Sequence, residues 1–241
     1  MQASQTRTTS GNVISLRVRP IVRLLAATAA LLLLASVAGQ LVKYLTGHDH
    51  VFGLVPLFFI DAEKNLPSGF SALLLLIAAQ LLCIIAVLEK KRAGTDTGYW
   101  ILLAAGFAFM AADEALAFHE RLMRPMRNLL GEDLGIFHFA WVIPGIVLVL
   151  VLTPFMLRFL WRLPARTRRY FVVAAVLYLG GAIGFELVGS GFAAVHGIHN
   201  LPYTMIATVE EGLEMAGAIV FIRALLECVA ARFGSVSLRV E

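Results

Sequence analysis

Charged residues are scarce. Asp, Glu, Lys and Arg make up 15% of the 241 residues, where a soluble domain carries roughly a quarter. Cysteine is scarcer still, with Cys83 and Cys228 the whole supply. That excludes a disulfide framework, a Cys-x-x-Cys redox pair and a zinc ribbon. It leaves both thiols as small apolar residues packed in helices. No phosphate loop, dinucleotide fingerprint or haem-attachment pattern occurs. The segment "VGSGF" around Ser190 is not Gly-x-Ser-x-Gly, so its glycines read as packing residues. Glu-x-x-His, the signature of a four-helix di-iron site, is missing. "HERLM" starts like a zinc peptidase, but Met123 stands where the second histidine belongs.

What the chain has is apolar surface. It is 59% hydrophobic with a mean hydropathy of +0.82. The apolar residues fall in runs at about 24–42, 70–88, from 99 into "DEALAFHE", 137–160, 171–195 and 203–229. Each approaches the ~20 residues that cross a hydrocarbon core. In lipid only helices and closed barrels satisfy the backbone, and barrel strands are shorter and alternating. The expectation is an all-α polytopic membrane helix bundle of about six transmembrane helices. The bilayer is the first partner this implies. The net charge of +4 does not point to nucleic acid, because the arginines sit between apolar runs. The sequence does not fix an oligomeric state.

Alternate loops carry the basic residues. Arg17, Arg19 and Arg23 precede the first run, and Lys90, Lys91 and Arg92 follow the second. Arg158, Arg162, Arg166, Arg168 and Arg169 lie between the fourth and fifth, and Arg223, Arg232 and Arg239 close the chain. The positive-inside rule gives N-in/C-in. The domains read as a flexible cytoplasmic 1–20, a transmembrane 21–231 and a cytoplasmic tail 232–241. The basic start, apolar run and "SVAGQ" also resemble a cleavable signal peptide. Cleavage would leave five spans with the same orientation.

The apolar runs contain acids. At ~1.5 Å per residue, Asp113 lies ~21 Å and Glu186 ~22 Å from the cytoplasmic starts of their spans. Glu210, Glu211 and Glu214 lie ~10 to 16 Å below the opposite edge. With Glu114 these make six acids in the outer half of the bilayer, without a Lys or Arg at their depth. Such groups must share protons, hold cations or line a wet cavity. Glu210 and Glu214 stack at i,i+4 on one face. Asp113 and Glu120 share a face at i,i+7, while His119 points away if the helix is regular, so Glu120 ranks above His119 as a member of the cluster. Gly180, Gly181 and Gly184 on one span, and Gly212 with Ala216 on the next, form small-residue faces that bring Glu186 toward the last span. His138, His196 and His199 lie at the outer edge, whereas His48 and His50 read as solvated loop residues.

Carboxylates mixed with imidazoles suit Fe, Mn or Zn. The candidate metal ligands are therefore Asp113, Glu114, Glu120, Glu186, Glu210, Glu211, Glu214, His119, His138, His196 and His199. "MAADEALAFHERL", "GFELVG", "EEGLEMAG" and "DAEKNLPSGFS" together resemble a functionally unassigned group of bacterial multi-pass inner-membrane proteins with DE-x4-HE and EE-x2-E segments. The resemblance implies a bacterial inner-membrane location and lends no activity. Three readings remain open. The first is a metal-binding protein, including an enzyme acting on a lipid-soluble substrate, whose site opens to the periplasm. The second is a proton- or cation-coupled transporter, although the acids occupy only one half of the bilayer. The third is a structural or assembly subunit whose protonated carboxyls brace the bundle.

Overall fold

The computed structural model describes residues 17–233. Of the tails expected at 1–20 and 232–241, residues 1–16 and 234–241 lie outside the described residues, while the first helix already begins at Val18 and the last runs to Phe233. What is described is all helical, with eight helices and two short 3₁₀ turns. They are α1 (Val18–Thr46), α2 (Leu54–Phe58), α3 (Leu66–Lys91), α4 (Thr97–Leu116), α5 (Phe118–Leu130), α6 (Val142–Arg162), α7 (Ala165–His196) and α8 (Leu201–Phe233). Within α7, Gly180–Phe185 is wound as a π-helix.

Five of these, α1, α3, α4, α6 and α7, are long and apolar enough to cross a membrane. The sequence predicts about six. The sixth segment is the 33-residue α8, and Glu210, Glu211, Glu214, Arg223 and Glu227 make it too charged for that class. The charged helix is also the one most enclosed. Met215, Ala218, Ile222, Ala224 and Leu225 of α8 are buried against α1, α3 and α7. α6 does the reverse and turns Leu150 and Trp161 outward, 66% and 72% exposed. Apolar surface facing outward around a polar centre is the arrangement a lipid solvent selects.

Cap chemistry explains several boundaries. Asn65 and Ser68 form a reciprocal capping box at the start of α3, with a proline in the first turn. Gly47, at φ 75°, ends α1 in the left-handed conformation that costs glycine little.

The helices alternate in direction, and the two ends of the bundle differ. At one end Arg162 pairs with Asp96 at 2.7 Å, and Glu227 takes Arg166 at 3.1 Å and Arg223 at 3.0 Å. Below these pairs lies an aromatic cluster. Trp100 sits edge-on to Phe159 and Phe171, and Phe107 stacks on Phe221 at 4.6 Å. The other end is knitted by single polar contacts. Ser36 accepts from the Ile60 N–H at 3.0 Å, and buried Ser190 accepts from the Phe139 N–H at 2.8 Å. Ser190 is thus a packing residue, as its flanking glycines imply.

α7 and α8 pack backbone to backbone. A Cβ on Gly181 would lie 2.7 Å from the Glu210 carbonyl oxygen, and one on Gly217 would lie 2.7 Å from the Tyr178 nitrogen. The sequence points to Gly212 and Ala216 for this contact. Gly212 instead faces Leu33 of α1, and Gly217 makes the approach one residue beyond Ala216. Gly181→Ala and Gly217→Ala should each destabilise the protein by about 1–3 kcal/mol, the cost of overpacking a tight contact. Gly69→Ala, which meets nothing within 4 Å, should be close to neutral. Thermal unfolding in detergent checks all three.

Candidate functional site

The site begins with a break in a helix. α4 stops at Leu116 because Ala117 takes a left-handed conformation (φ 55°, ψ 48°), which costs a non-glycine residue about 1–2 kcal/mol. Asp113 stabilises the turn. Its carbonyl accepts the Ala117 N–H at 2.7 Å, and its Oδ1 accepts the His119 N–H at 2.8 Å. The second carboxylate oxygen lies 3.0 Å from Nδ1 of His119. The far nitrogen of the ring faces Glu63 at 3.8 Å. His119 thus joins α4 to the loop before α3.

This reverses the ranking that a regular helix gives. His119 turns inward onto Asp113, while Glu120 is exposed and faces a separate cleft. Arg121 lies over the Phe118 ring at 5.5 Å, and among the described residues Glu120 has no ion pair.

The π-helical turn sets the second part. The Glu186 N–H bonds to the Gly181 carbonyl, five residues back. A π-turn adds a residue to the helix and so re-aims the side chains that follow it. Oε1 of Glu186 accepts from the Trp141 indole at 2.6 Å, and the same carboxyl lies beside that of Glu210 on α8. Two neighbouring carboxyls repel each other unless one keeps its proton. One turn further along α8, Glu214 lies beside Tyr178 of α7. Glu211 is near enough to feel the charge of Glu214, Glu114, Asp61 and Glu186.

Between α3, α4, α7 and α8 lies a small cavity of about 10 Å³, lined by Ser71, Glu114, Tyr178 and Glu214. That is close to the volume that admits one water. Ser71 is 8% exposed, and its hydroxyl oxygen has no hydrogen-bond partner.

The expected acid layer is therefore present as a contiguous set: Asp113, Glu114, Glu186, Glu210, Glu211 and Glu214, with His119 above. Among the described residues none of the five glutamates forms an ion pair with Lys or Arg. Nor does any group of three His, Cys, Asp or Glu side chains come together closely enough to hold a metal ion. The remaining expected ligands lie elsewhere. His138 contacts Arg127, His199 lines the separate cleft, and His196 is exposed and stacked on Phe192.

Trp141, Tyr178, Ser71, Glu63 and Asp61 join the site without having been singled out as ligands. Asp61 lies 3.4 Å from the Tyr203 hydroxyl. "DAEKN" stands out in the sequence as acidic, but only the fold brings it over α4. Trp141 and Tyr178 carry no sequence signal beyond being polar aromatics in apolar runs.

Residues 24–229 match the family described as a domain of unknown function, DUF8692. The chain belongs to the DUF8692 family. No curated protein and no solved structure matches it. The DUF8692 match contains every residue of the acid layer, so that layer lies inside the family's own domain and not in an appendage.

His119 holds its proton to a higher pH than its ordinary value of 6.5. Burial opposes this, but Asp113, Glu63 and Glu114 together outweigh it. Its stabilising contact is therefore complete below pH 6.5 and is lost as the pH rises through the raised value. His119→Gln should cost on the order of 1 kcal/mol at low pH, as for one charge-assisted hydrogen bond. The gap between wild type and variant should narrow at higher pH. Unfolding curves at stepped pH give the test.

Proposed function

We propose that this multi-pass membrane protein works through an intramembrane proton-binding site open to one side of the membrane. The observation that carries the reading is the juxtaposition of the Glu186 and Glu210 carboxyls, inside a layer that has no ion pair with Lys or Arg among the described residues. A carboxylate alone in a low-dielectric interior is costly, so the layer is tolerable when it shares protons. The wider assignment is a bacterial inner-membrane protein with both termini in the cytoplasm. α8 serves as a sixth crossing and the acid layer faces the periplasm. The alternation of basic and basic-poor loops supports it.

The layer ends inward at Ser71 and Leu75, and fully buried Leu74 and Leu82 of α3 follow. A route that is wet on one side and sealed on the other is one state of a coupled carrier. In this reading His119 and Glu63 stand at the entrance, and Glu114, Glu186, Glu210, Glu211 and Glu214 hold the exchangeable protons. The Trp141 indole donates the hydrogen bond that keeps Glu186 in place, and Tyr178 stands beside Glu214.

One observation favours a second reading. Asp113, His119 and Glu63 set imidazole among carboxylates, a donor mixture that suits Fe, Mn or Zn. A divalent ion drawn between them and Glu114 would make the site that of a metal-dependent protein, including an enzyme acting on a lipid-soluble substrate.

Reconstitution separates the two. Liposomes containing the protein should dissipate an imposed pH gradient, and Glu211→Gln should slow this while leaving the protein folded. Elemental analysis of the same sample should find no stoichiometric metal. One bound metal ion per chain, with gradient decay no faster than in empty liposomes, would favour the metal reading and overturn the first.

A further inference from the structure

A second, unrelated cleft lies where α5 meets the start of α6 and the end of α7. It encloses about 680 Å³. Its polar lining is Arg124, Arg127, His138, His199 and Glu120. The lining carries two guanidiniums against one carboxylate; Glu132, outside it, approaches Nη1 of Arg127 at 3.9 Å, which leaves Arg124 as the guanidinium without an ion pair among the described residues. A cation is disfavoured there, although Glu120, His138 and His199 alone read as metal ligands in the sequence. The rest of the wall is apolar, with Met123, Phe139 and Ile198 prominent.

The two arginines are held differently. Arg127 is anchored, with Nη2 donating to the His138 carbonyl at 2.7 Å and lying 3.3 Å from Nε2 of the same residue. Its Nε is buried and has no partner. Arg124 is exposed and, among the described residues, has neither a hydrogen bond nor an ion pair. His138 is pushed below its ordinary value, first by burial and then by Arg127.

The helix that carries both arginines is amphipathic and packs lightly on the bundle. Leu122, Leu129 and Leu130 are exposed on it at 45%, 77% and 45%, while Arg121, Arg124 and Asn128 are exposed as well. Such a helix lies in the membrane interface, with its apolar face among the acyl chains and its basic groups at headgroup level. A bare phosphate would fill only a small part of the cleft, whereas a lipid matches both its volume and its divided lining.

We propose that this cleft binds an anionic phospholipid, one whose phosphate no headgroup cation offsets, with the phosphate on Arg124 and Arg127 and the adjoining hydrocarbon against Met123, Phe139 and Ile198. Guanidinium and phosphate form paired, charge-assisted hydrogen bonds, and the unpartnered Nε of Arg127 is a spare donor for them. The proposal rests on the interfacial position of α5 and not on the acid layer, so each stands or falls separately.

Full-length protein in detergent is titrated with phosphatidylglycerol, with phosphatidylcholine and with inorganic phosphate, and adducts are counted by native mass spectrometry. The expected result is a retained phosphatidylglycerol adduct that phosphatidylcholine does not match and phosphate does not displace. Arg124→Gln should weaken it at least about tenfold, a loss of ~1.4 kcal/mol. Arg124 is exposed and unpaired, so that variant keeps the fold. Arg127→Gln is read beside a melting curve. Arg121→Gln, outside the cleft, should change nothing. Equal retention of both lipids, or a phosphatidylglycerol adduct unaffected by Arg124→Gln, would overturn the proposal. Phosphate displacing the lipid at comparable concentration would overturn the lipid as ligand and assign the cleft to a soluble anion.

Discussion

Carboxyl groups without basic partners cannot lie in an apolar bundle unless something else meets their charge or their hydrogen bonds. Much of the unusual backbone in this protein surrounds that constraint. Gly181 and Gly217 allow α7 and α8 to touch, which brings Glu186 to Glu210 and Tyr178 to Glu214. The π-turn through Gly180–Phe185 immediately precedes Glu186. The left-handed Ala117 ends α4 so that Asp113 can hold both the backbone and the ring of His119. Each feature costs local stability, and each lies within a few residues of an acid. Strain gathered at one place in a fold is the mark of a site under functional constraint.

The two ends of the bundle solve the burial of charge differently. Where Asp96 and Glu227 lie, arginines meet them directly, and the aromatic cluster beneath seals the interior. Where the acid layer lies, arginines are also present, on α5, but they turn to the cleft of Glu120 and His138 instead of neutralising the layer. There Arg127 approaches Glu132 at 3.9 Å, and Arg124 has no ion pair among the described residues.

The helical class and the membrane-spanning runs were legible because hydropathy over twenty residues reports solvent directly. The acid layer was legible because rise per residue fixes relative depth along straight helices. What the sequence hid depends on departures from straightness. His119 reads as facing away from the cluster only if α4 continues through Ala117, and no glycine or proline announces the break. Gly217, not Gly212, meets α7, because rotation about the helix axis is set by packing that composition does not encode. His138 and His199 look like ligands when read singly, and their company with Arg124 and Arg127 appears only when α5 folds across the end of the bundle. The sixth apolar run is a helix, yet it carries the acids and is enclosed against α1, α3 and α7.

The central claim is that protons meet the charge of the acid layer. Infrared spectroscopy of the purified full-length protein in neutral buffer tests it most directly, because the carbonyl stretch of a protonated carboxyl is resolved from the bands of an ionised one. The account predicts a protonated-carboxyl band at neutral pH that weakens in Glu210→Gln and shifts in Trp141→Phe, which removes the indole donor to Glu186. A spectrum with ionised carboxylates only, in a folded protein, would contradict it.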